Sequence, residues 1–309
     1  IFFLLVIVLS PLIIFILSSK WLDIDYLSLF FDIKLNFAIF LVIFILQKQN
    51  NYNLLDKIIH FIAFKTSLNS TLFEIETSNF NKKIESSQNI FICGLPRSGT
   101  TSLLNYFFSK NNFVSLTYKN MPFPLSSVIW PKFTNFFIKS DYNKERYHKD
   151  KIKININSPE AFEEVFWLSY IKRDYINSKL QFHHISEKLI IKFNKFIQFM
   201  ILKNNKKAYV SKNNNNILRL NSLSKNFIGS KFLVCFRNPI YQSKSMLKTH
   251  SLFKKKQNED KFFLNYTNYI GHFEFGLNLK EINFNIEKKY TDPDFINYWL
   301  ENWILTYNY

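Results

Sequence analysis

IFICGLPRSGTTSLLNYF, residues 90 to 107, is the stretch that decides the fold. It combines an apolar strand, a loop bounded by Gly94 and Gly99, and an amphipathic helix that is predicted to begin at Thr100. This order directs several backbone N–H groups and the positive end of a helix toward one point. The segment therefore predicts an anion site for a phosphate-like group.

The two glycines have the spacing of the nucleotide triphosphatase loop, G-x-x-x-x-G-K-S/T. Thr100 stands where that loop has its Lys, and the cation of this loop is Arg97, ahead of the second glycine. An ATPase without the Lys lacks its contact to the β and γ phosphates. The sequence therefore argues against nucleoside triphosphate hydrolysis.

Around this loop, short apolar runs alternate with amphipathic stretches, as in βαβ units. We predict an α/β, P-loop-like three-layer fold with a central parallel sheet, preceded by N-terminal membrane helices. Predicted strands are 90 to 93, 208 to 211 and 232 to 236. A second helix is expected near Ser158, where Ser-Pro-Glu supplies an N-cap, a Pro and an acid. Residues 111 to 150 lack clean periodicity, and the Asn run 213 to 216 favours a loop.

The first 50 residues predict a membrane anchor. Residues 1 to 18 carry no charge, and a run of about 18 apolar residues is near the lower limit for a span. The run at 35 to 46 is shorter, so one span and a two-helix hairpin both stay open. A cleaved signal peptide is disfavoured by the length and by the lack of an A-x-A-like site. Residues 51 to 87 are interpreted as an amphipathic linker and 88 to 309 as one large domain.

The net charge of +17 over 309 residues suits an anionic partner such as a nucleotide, a nucleic acid or a lipid surface. The basic residues are scattered and no recognition motif occurs, which argues against a nucleic acid. A hairpin anchor followed by this basic chain would leave the large domain in the cytoplasm, whereas a single span could face either way. Cys93 and Cys235 lie in apolar runs, which predicts buried reduced thiols, and no zinc-type spacing occurs.

The Pro-Arg-Ser-Gly-Thr-Thr segment, residues 96 to 101, resembles the 5′-phosphosulfate loop of PAPS-dependent sulfotransferases, in the Arg version of carbohydrate and membrane-associated members. A second segment, KFLVCFRNPIYQSKSML at 231 to 247, is similar to the family's 3′-phosphate element, in which a Ser follows the Arg by eight residues. Arg237 and Ser245 fit that spacing. An arginine after a strand can fork onto a phosphate, and a serine hydroxyl adds a hydrogen bond.

Further similarity to one membrane-linked branch lies in residues 146 to 167, 269 to 277 and 298 to 303. The resemblance thus covers roughly residues 88 to 309. Lys151 stands where that branch has a Gly, so the sequence departs from the pattern at this turn. The resemblance implies PAPS as sulfuryl donor, PAP as product, no metal, and a hydroxyl acceptor at the membrane, either a lipid or a saccharide.

The resemblance also assigns roles to individual residues. Arg97 and the N–H groups from Ser98 through Gly99 and Thr100 to Thr101 would bind the donor and stabilise the leaving phosphate. The acceptor's proton requires a base, and the candidates are His148, Glu160, Glu163 and Glu164. The three glutamates have helical spacings and would share one face, where they either raise one another's pKa or form a solvated helix start.

Two points stay open in the sequence. Lys212 resembles the family's Leu-Lys-Asn segment and would either orient the sulfuryl group or face water. A different class of protein also fits, namely a catalytically silent membrane protein that keeps the nucleotide fold to bind anionic ligands or partners. Retention of Arg97, Arg237 and Ser245 favours the enzyme.

Overall fold

A central parallel sheet organises the larger part of the chain. The computed structural model describes residues 54 to 82, 88 to 137, 144 and 145, 152 to 171 and 173 to 308. Within them the sheet has the order β2-β5-β1-β6. Its strands are β1 Ile90–Cys93, β2 Phe113–Val114, β5 Ala208–Lys212 and β6 Lys231–Val234. A small antiparallel pair is formed by β3 Lys144–Glu145 and β4 Lys153–Ile154.

Helices connect and cover these strands. They are α1 Leu54–Lys65, α2 Leu68–Thr77, α3 Thr100–Phe108, α4 Ile129–Phe137, α5 Glu164–Ile171, α6 Glu187–Lys203, α7 Leu220–Asn226, α8 Pro239–Glu259, α9 Lys261–Tyr269 and α10 Ile296–Asn308. Short 3₁₀ helices span Tyr118–Asn120, Asn214–Arg219 and Gly276–Asn278. The prediction of an α/β fold with a central parallel sheet is confirmed, as are the three strands to within two residues at each end.

The main core lies on the middle strand of the sheet. Phe91 in β1 is fully buried and stacks on Phe232 in β6, with ring centroids 5.0 Å apart. All residues of β1 and β5 are buried, as expected of parallel strands covered on both faces. Cys93 and Cys235 are free thiols. Cys93 is buried as predicted, and burial raises its pKa to about 12, whereas the prediction of burial was wrong for Cys235, which is only partly buried.

The chain divides into two compact units, Ile1–Ile59 and His60–Tyr309. Within the second unit, Phe73 of α2 is fully buried in the main core, so part of the predicted linker packs as an element of the domain. No helix among the described residues has the length and apolarity needed to cross a membrane. The runs at 1 to 18 and 35 to 46 that predicted the anchor lie outside those residues.

The prediction that a helix begins near Ser158 was wrong, because α5 begins at Glu164. The hydroxyl of Ser158 accepts a hydrogen bond from the backbone of Asn155 at 2.9 Å, and Pro159 forms an antiparallel bridge to Thr117. These partners hold the Ser-Pro-Glu segment in an extended conformation. Glu160 therefore lies outside the helix, and the three glutamates do not share one helical face.

The prediction that the Asn run 213 to 216 forms a plain loop was also wrong. Residues 214 to 216 begin the 3₁₀ helix that follows β5, and the Asn213 side chain caps it by accepting a hydrogen bond from the Asn215 N–H at 3.1 Å. All four asparagines are buried. The side-chain NH₂ groups of Asn214, Asn215 and Asn216 donate hydrogen bonds to Glu274, to the Gly271 carbonyl and to Glu163.

Candidate functional site

The loop between β1 and α3 has the backbone conformation of an anion cradle. Gly94 and Gly99 take positive φ values of 127° and 97°, which favour glycine. A Cβ at Gly94 would come within 2.4 Å of the carbonyl oxygen of Cys235, so glycine lets β1 and the end of β6 approach closely. Helix α3 begins at Thr100 as predicted, and its first turn leaves N–H groups without intrahelical partners.

Arg97 and Ser245 meet, although 148 positions separate them in the chain. The Arg97 Nε donates a hydrogen bond to the Ser245 Oγ at 3.0 Å. Arg97 itself has a positive φ of 68°, a backbone conformation that residues other than glycine adopt only rarely. The two segments that sequence similarity assigned to separate phosphates therefore adjoin in space.

Arg237 lies three residues beyond the last residue of β6, at the carboxyl end of the sheet. Its side chain is exposed. Asn238 follows and caps α8, accepting hydrogen bonds from the N–H groups of Ile240 and Tyr241, and Pro239 takes the first helical position. This cap fixes where α8 begins and hence where Ser245, two turns later, faces the loop.

Gln242 joins the two segments, a role that the sequence did not indicate. Its side chain is fully buried. The Nε2 group donates to the carbonyl oxygens of Leu95 at 3.4 Å and Pro96 at 3.0 Å. The Oε1 atom accepts from the Arg237 N–H at 3.1 Å and from the Trp303 indole N–H at 3.0 Å. One amide thus positions the glycine loop relative to the Arg237 backbone.

Tyr307 in α10 makes a second link of the same kind. Its hydroxyl accepts a hydrogen bond from the Leu95 N–H at 3.1 Å and donates to the Cys235 carbonyl at 2.6 Å. The C-terminal helix therefore holds both the loop and the turn after β6. In the sequence, the only indication of a role for α10 was the similarity of its YWLENW segment, residues 298 to 303, to the membrane-linked branch described above.

Glu163 and Glu164 are buried carboxylates with structural partners. Both are at most 2% exposed. Glu163 accepts hydrogen bonds from the Asn216 amide at 2.8 Å and the Tyr209 hydroxyl at 3.2 Å. Glu164 pairs with the Arg219 guanidinium at 2.7 Å. The expectation of a solvated acidic helix start was wrong, because these carboxylates are satisfied by buried donors.

The guanidinium of Arg219 is enclosed between two rings. It lies 4.8 Å from the Trp167 ring centroid and 5.1 Å from that of Tyr175, with an exposed fraction of 1%. The Asn213 amide donates to Glu164 at 2.7 Å and completes the cluster. This cluster ties α5 to the segment that follows β5, and so fixes the carboxyl end of that strand.

Lys212 ends β5 and points to a group of charges at the edge of the sheet. It is buried, and its Nζ lies 3.7 Å from Glu160 Oε1. Glu160 also accepts a hydrogen bond from the Tyr118 hydroxyl at 3.1 Å. The alternative in which Lys212 faces water is wrong, since only 8% of its side chain is exposed.

Glu274 is a further carboxylate near this edge, and no sequence pattern singled it out. The Asn214 amide donates to it at 2.8 Å, and the His272 Nδ1 lies 2.9 Å from its other oxygen. Burial alone would raise the pKa of Glu274, but His272, Asn214 and the charge of Lys212 outweigh it and lower the pKa to about 2. Glu274 is therefore ionised at neutral pH.

His148, the remaining candidate base, and Lys151 lie outside the described residues. Within the part of the chain that the structure describes, no three His, Cys, Asp or Glu side chains converge as they do at a metal centre. Five polar or charged residues belong to segments that follow the carboxyl ends of strands or pack against them: Arg97, Arg237, Ser245, Glu160 and Glu274. Open parallel sheets bind ligands at that edge.

Comparisons with known proteins identify the family of this chain. A model of the Sulfotransferase family matches residues 89 to 276, a stretch that includes the glycine loop, Lys212, Arg237 and Ser245. No curated protein matches the chain. A solved sulfotransferase from Mycobacterium tuberculosis H37Rv is similar over 60% of this chain and 53% of its own, with 15% sequence identity and a TM-score of 0.39. The match therefore spans about half the length of that protein.

Proposed function

The chain belongs to the sulfotransferase family, and we propose that it moves a sulfuryl group from PAPS to a hydroxyl of a membrane-proximal acceptor. The observation that carries the donor assignment is the 3.0 Å contact between Arg97 and Ser245. A donor with phosphates at its 5′ and 3′ positions requires two anion sites that one adenosine can span. The glycine loop and α8 adjoin at this contact, which supports a pair of anion sites that one adenosine can span.

In the proposed reaction the acceptor oxygen attacks sulfur in line. The new oxygen–sulfur bond forms as the bond between sulfur and the bridging oxygen breaks, and PAP leaves with the electron pair. Arg97 and the N–H groups of residues 98 to 101 stabilise the charge that gathers on the leaving phosphate. Arg237 and Ser245 hold the 3′-phosphate.

The proton of the acceptor hydroxyl goes to a carboxylate at the edge of the sheet, and we assign this role to Glu160. Its carboxylate is partly exposed and lies beside Lys212. Glu163 and Glu164 remain candidates from the sequence, but their buried hydrogen bonds favour a structural role. We assign to Lys212 the orientation of the sulfuryl group, and the support is its position 3.7 Å from Glu160 on the strand that pairs with β1.

We further propose that residues 1 to 50 anchor the protein and that the catalytic domain lies on the cytoplasmic side. The support is the uncharged run at 1 to 18 together with the excess of Lys and Arg in the rest of the chain. We also propose that the sheet and the helices that cover it form a P-loop-like three-layer fold.

Calorimetric titration of the full chain with PAP and with ATP tests the donor assignment. We expect binding of PAP and not of ATP, because the loop lacks the Lys that contacts β and γ phosphates. Absence of PAP binding would instead support the alternative of a catalytically silent protein with a nucleotide fold.

The Gln242→Leu variant is expected to weaken PAP binding by at least about tenfold, since it leaves buried N–H and C=O groups of both donor segments unpaired, at roughly 1 to 3 kcal/mol each. Calorimetry on the purified variant measures the change. Gln257→Leu is the matched control, because Gln257 is also buried on α8 but bonds to Thr267 and Leu277. Equal PAP affinities for the two variants would contradict the positioning role of Gln242.

A further inference from the structure

Lys212 carries a buried positive charge that Glu160 compensates only in part. The Lys212 Nζ lies 3.7 Å from the Glu160 Oε1. A hydrogen bond between an ammonium and a carboxylate is shorter, at about 2.7 to 2.9 Å, so the ammonium is not committed to Glu160. A buried charge is unfavourable unless the surrounding groups compensate it. A second anionic group near Lys212 is therefore expected to contribute to holding the ammonium.

Glu274 is the carboxylate that meets this expectation. Its Oε1 accepts a hydrogen bond from the Asn214 amide at 2.8 Å, and Asn214 follows Lys212 by only two residues. Burial raises the pKa of Glu274, but His272, Asn214 and the positive charge of Lys212 together lower it to about 2. The ionised Glu274 and the Lys212 ammonium therefore attract each other.

The segment that carries Glu274 is held firmly against the end of β5. The Asn215 amide donates a hydrogen bond to the Gly271 carbonyl at 3.0 Å, three residues before Glu274. A Cβ at Gly271 would come within 2.4 Å of the Glu164 Cγ, so the backbone approaches α5 closely at this point. Asn214 and Asn215 are both buried. Two consecutive side chains thus fix Glu274 relative to the residues that end the strand.

Glu274 also lies near the glycine loop. A cavity of about 60 Å³ is lined by Glu274 and by Gly94, Leu95 and Pro96 of that loop. A negative charge beside an anion-binding loop by itself disfavours the binding of a phosphate. A favourable effect of Glu274 on the reaction therefore requires a cation through which it acts, and Lys212 is the cation that it attracts.

We propose that Glu274 is a positioning residue for sulfuryl transfer and that it acts through Lys212. This inference rests on the proposed function. Glu274 attracts the Lys212 ammonium and keeps it from closing onto Glu160. The ammonium then stays available to the sulfuryl group, and the Glu160 carboxylate stays available to the proton of the acceptor. Without the charge of Glu274, Lys212 and Glu160 would approach to hydrogen-bond distance and compensate each other.

The first test compares the binding of PAPS and PAP, because PAP lacks the sulfuryl group. Calorimetry on the full chain gives the PAPS preference, defined as the dissociation constant of PAP divided by that of PAPS. We expect Glu274→Gln to lower this preference at least about tenfold, the effect of losing one charge-assisted hydrogen bond, while PAP affinity stays within about twofold. Glutamine keeps an oxygen that accepts from Asn214, so the variant removes the charge and retains the clamp. Equal losses of PAP and PAPS affinity would show a structural role and overturn the inference.

Glu281→Gln is the matched control. Glu281 lines the same cavity, but its ion pairs are with Lys179 and Lys288. We expect this variant to keep the PAPS preference within about twofold of the native value, and Glu274→Asp, which retains the charge, to recover most of the preference. If Glu281→Gln lost as much preference as Glu274→Gln, any negative charge at the cavity would have the same effect, and the specific role of Glu274 would be wrong.

A double-mutant cycle decides whether Glu274 acts through the lysine. Lys212→Met and the double variant Lys212→Met with Glu274→Gln are expected to show the same lowered PAPS preference, since Glu274 has no ammonium to hold in either. Additive losses overturn the inference and leave the sulfotransferase proposal intact. Absence of PAP and PAPS binding by the native chain would instead remove the proposed function. If thermal unfolding shows that Lys212→Met does not fold, the comparison of Glu274→Gln, Glu274→Asp and Glu281→Gln decides the inference.

Discussion

Replacing Arg97 by alanine is expected to lower turnover with PAPS by at least about tenfold, and by about a hundredfold or more if its effect matches that of other groups that stabilise a developing oxyanion. The guanidinium is the cation of the glycine loop, and in the proposed reaction it stabilises the charge that gathers on the leaving phosphate. The variant also loses the hydrogen bond to Ser245.

Ser245→Ala separates these two effects. It removes the same 3.0 Å contact but keeps the guanidinium, so we expect weaker PAP binding with a smaller loss of kcat. Arg97→Lys keeps the charge without the forked donors and should lie between Ala and the native residue. Steady-state kinetics give kcat and KM for each variant, with thermal unfolding to verify folding. An Arg97→Ala enzyme with unchanged kcat would refute the proposed role of this residue.

The second large effect concerns stability. Arg219→Met is expected to lower the free energy of unfolding by about 3 to 5 kcal/mol, because it leaves the buried Glu164 carboxylate without its cation. The pair is 2.7 Å apart, and neither side chain is more than 2% exposed. Urea denaturation of the full chain, followed by tryptophan fluorescence, measures the change.

Lys192→Met is the control for this experiment. Lys192 also pairs with a glutamate, Glu74, but both side chains are partly exposed, and such a pair contributes at most about 1 kcal/mol. Adding Glu164→Gln to Arg219→Met should restore part of the loss, because it removes the uncompensated charge. If the Arg219 and Lys192 variants were destabilised equally, burial would not be the source of the effect.

The local patterns in the sequence predicted the parts of the site that depend on backbone conformation. The glycine spacing predicted the loop and the start of α3 at Thr100, and the strand patterns predicted the parallel sheet. These succeed because a glycine with positive φ, or a strand buried on both faces, constrains neighbouring residues directly. Ser158 shows the limit: it had the pattern of an N-cap, but its hydrogen bond with Asn155 and the bridge between Pro159 and Thr117 hold the segment extended.

By itself, then, the sequence determined the α/β fold, the family and the position of the glycine loop. Only the tertiary structure decided that Arg97 meets Ser245, that Gln242 and Tyr307 hold the loop, and that Glu163 and Glu164 are buried. Tyr307 and Leu95 are 212 positions apart, so no local pattern relates them. Such contacts arise when packing of the whole core brings distant segments together, and a side chain's partners depend on that packing and not on its sequence neighbours.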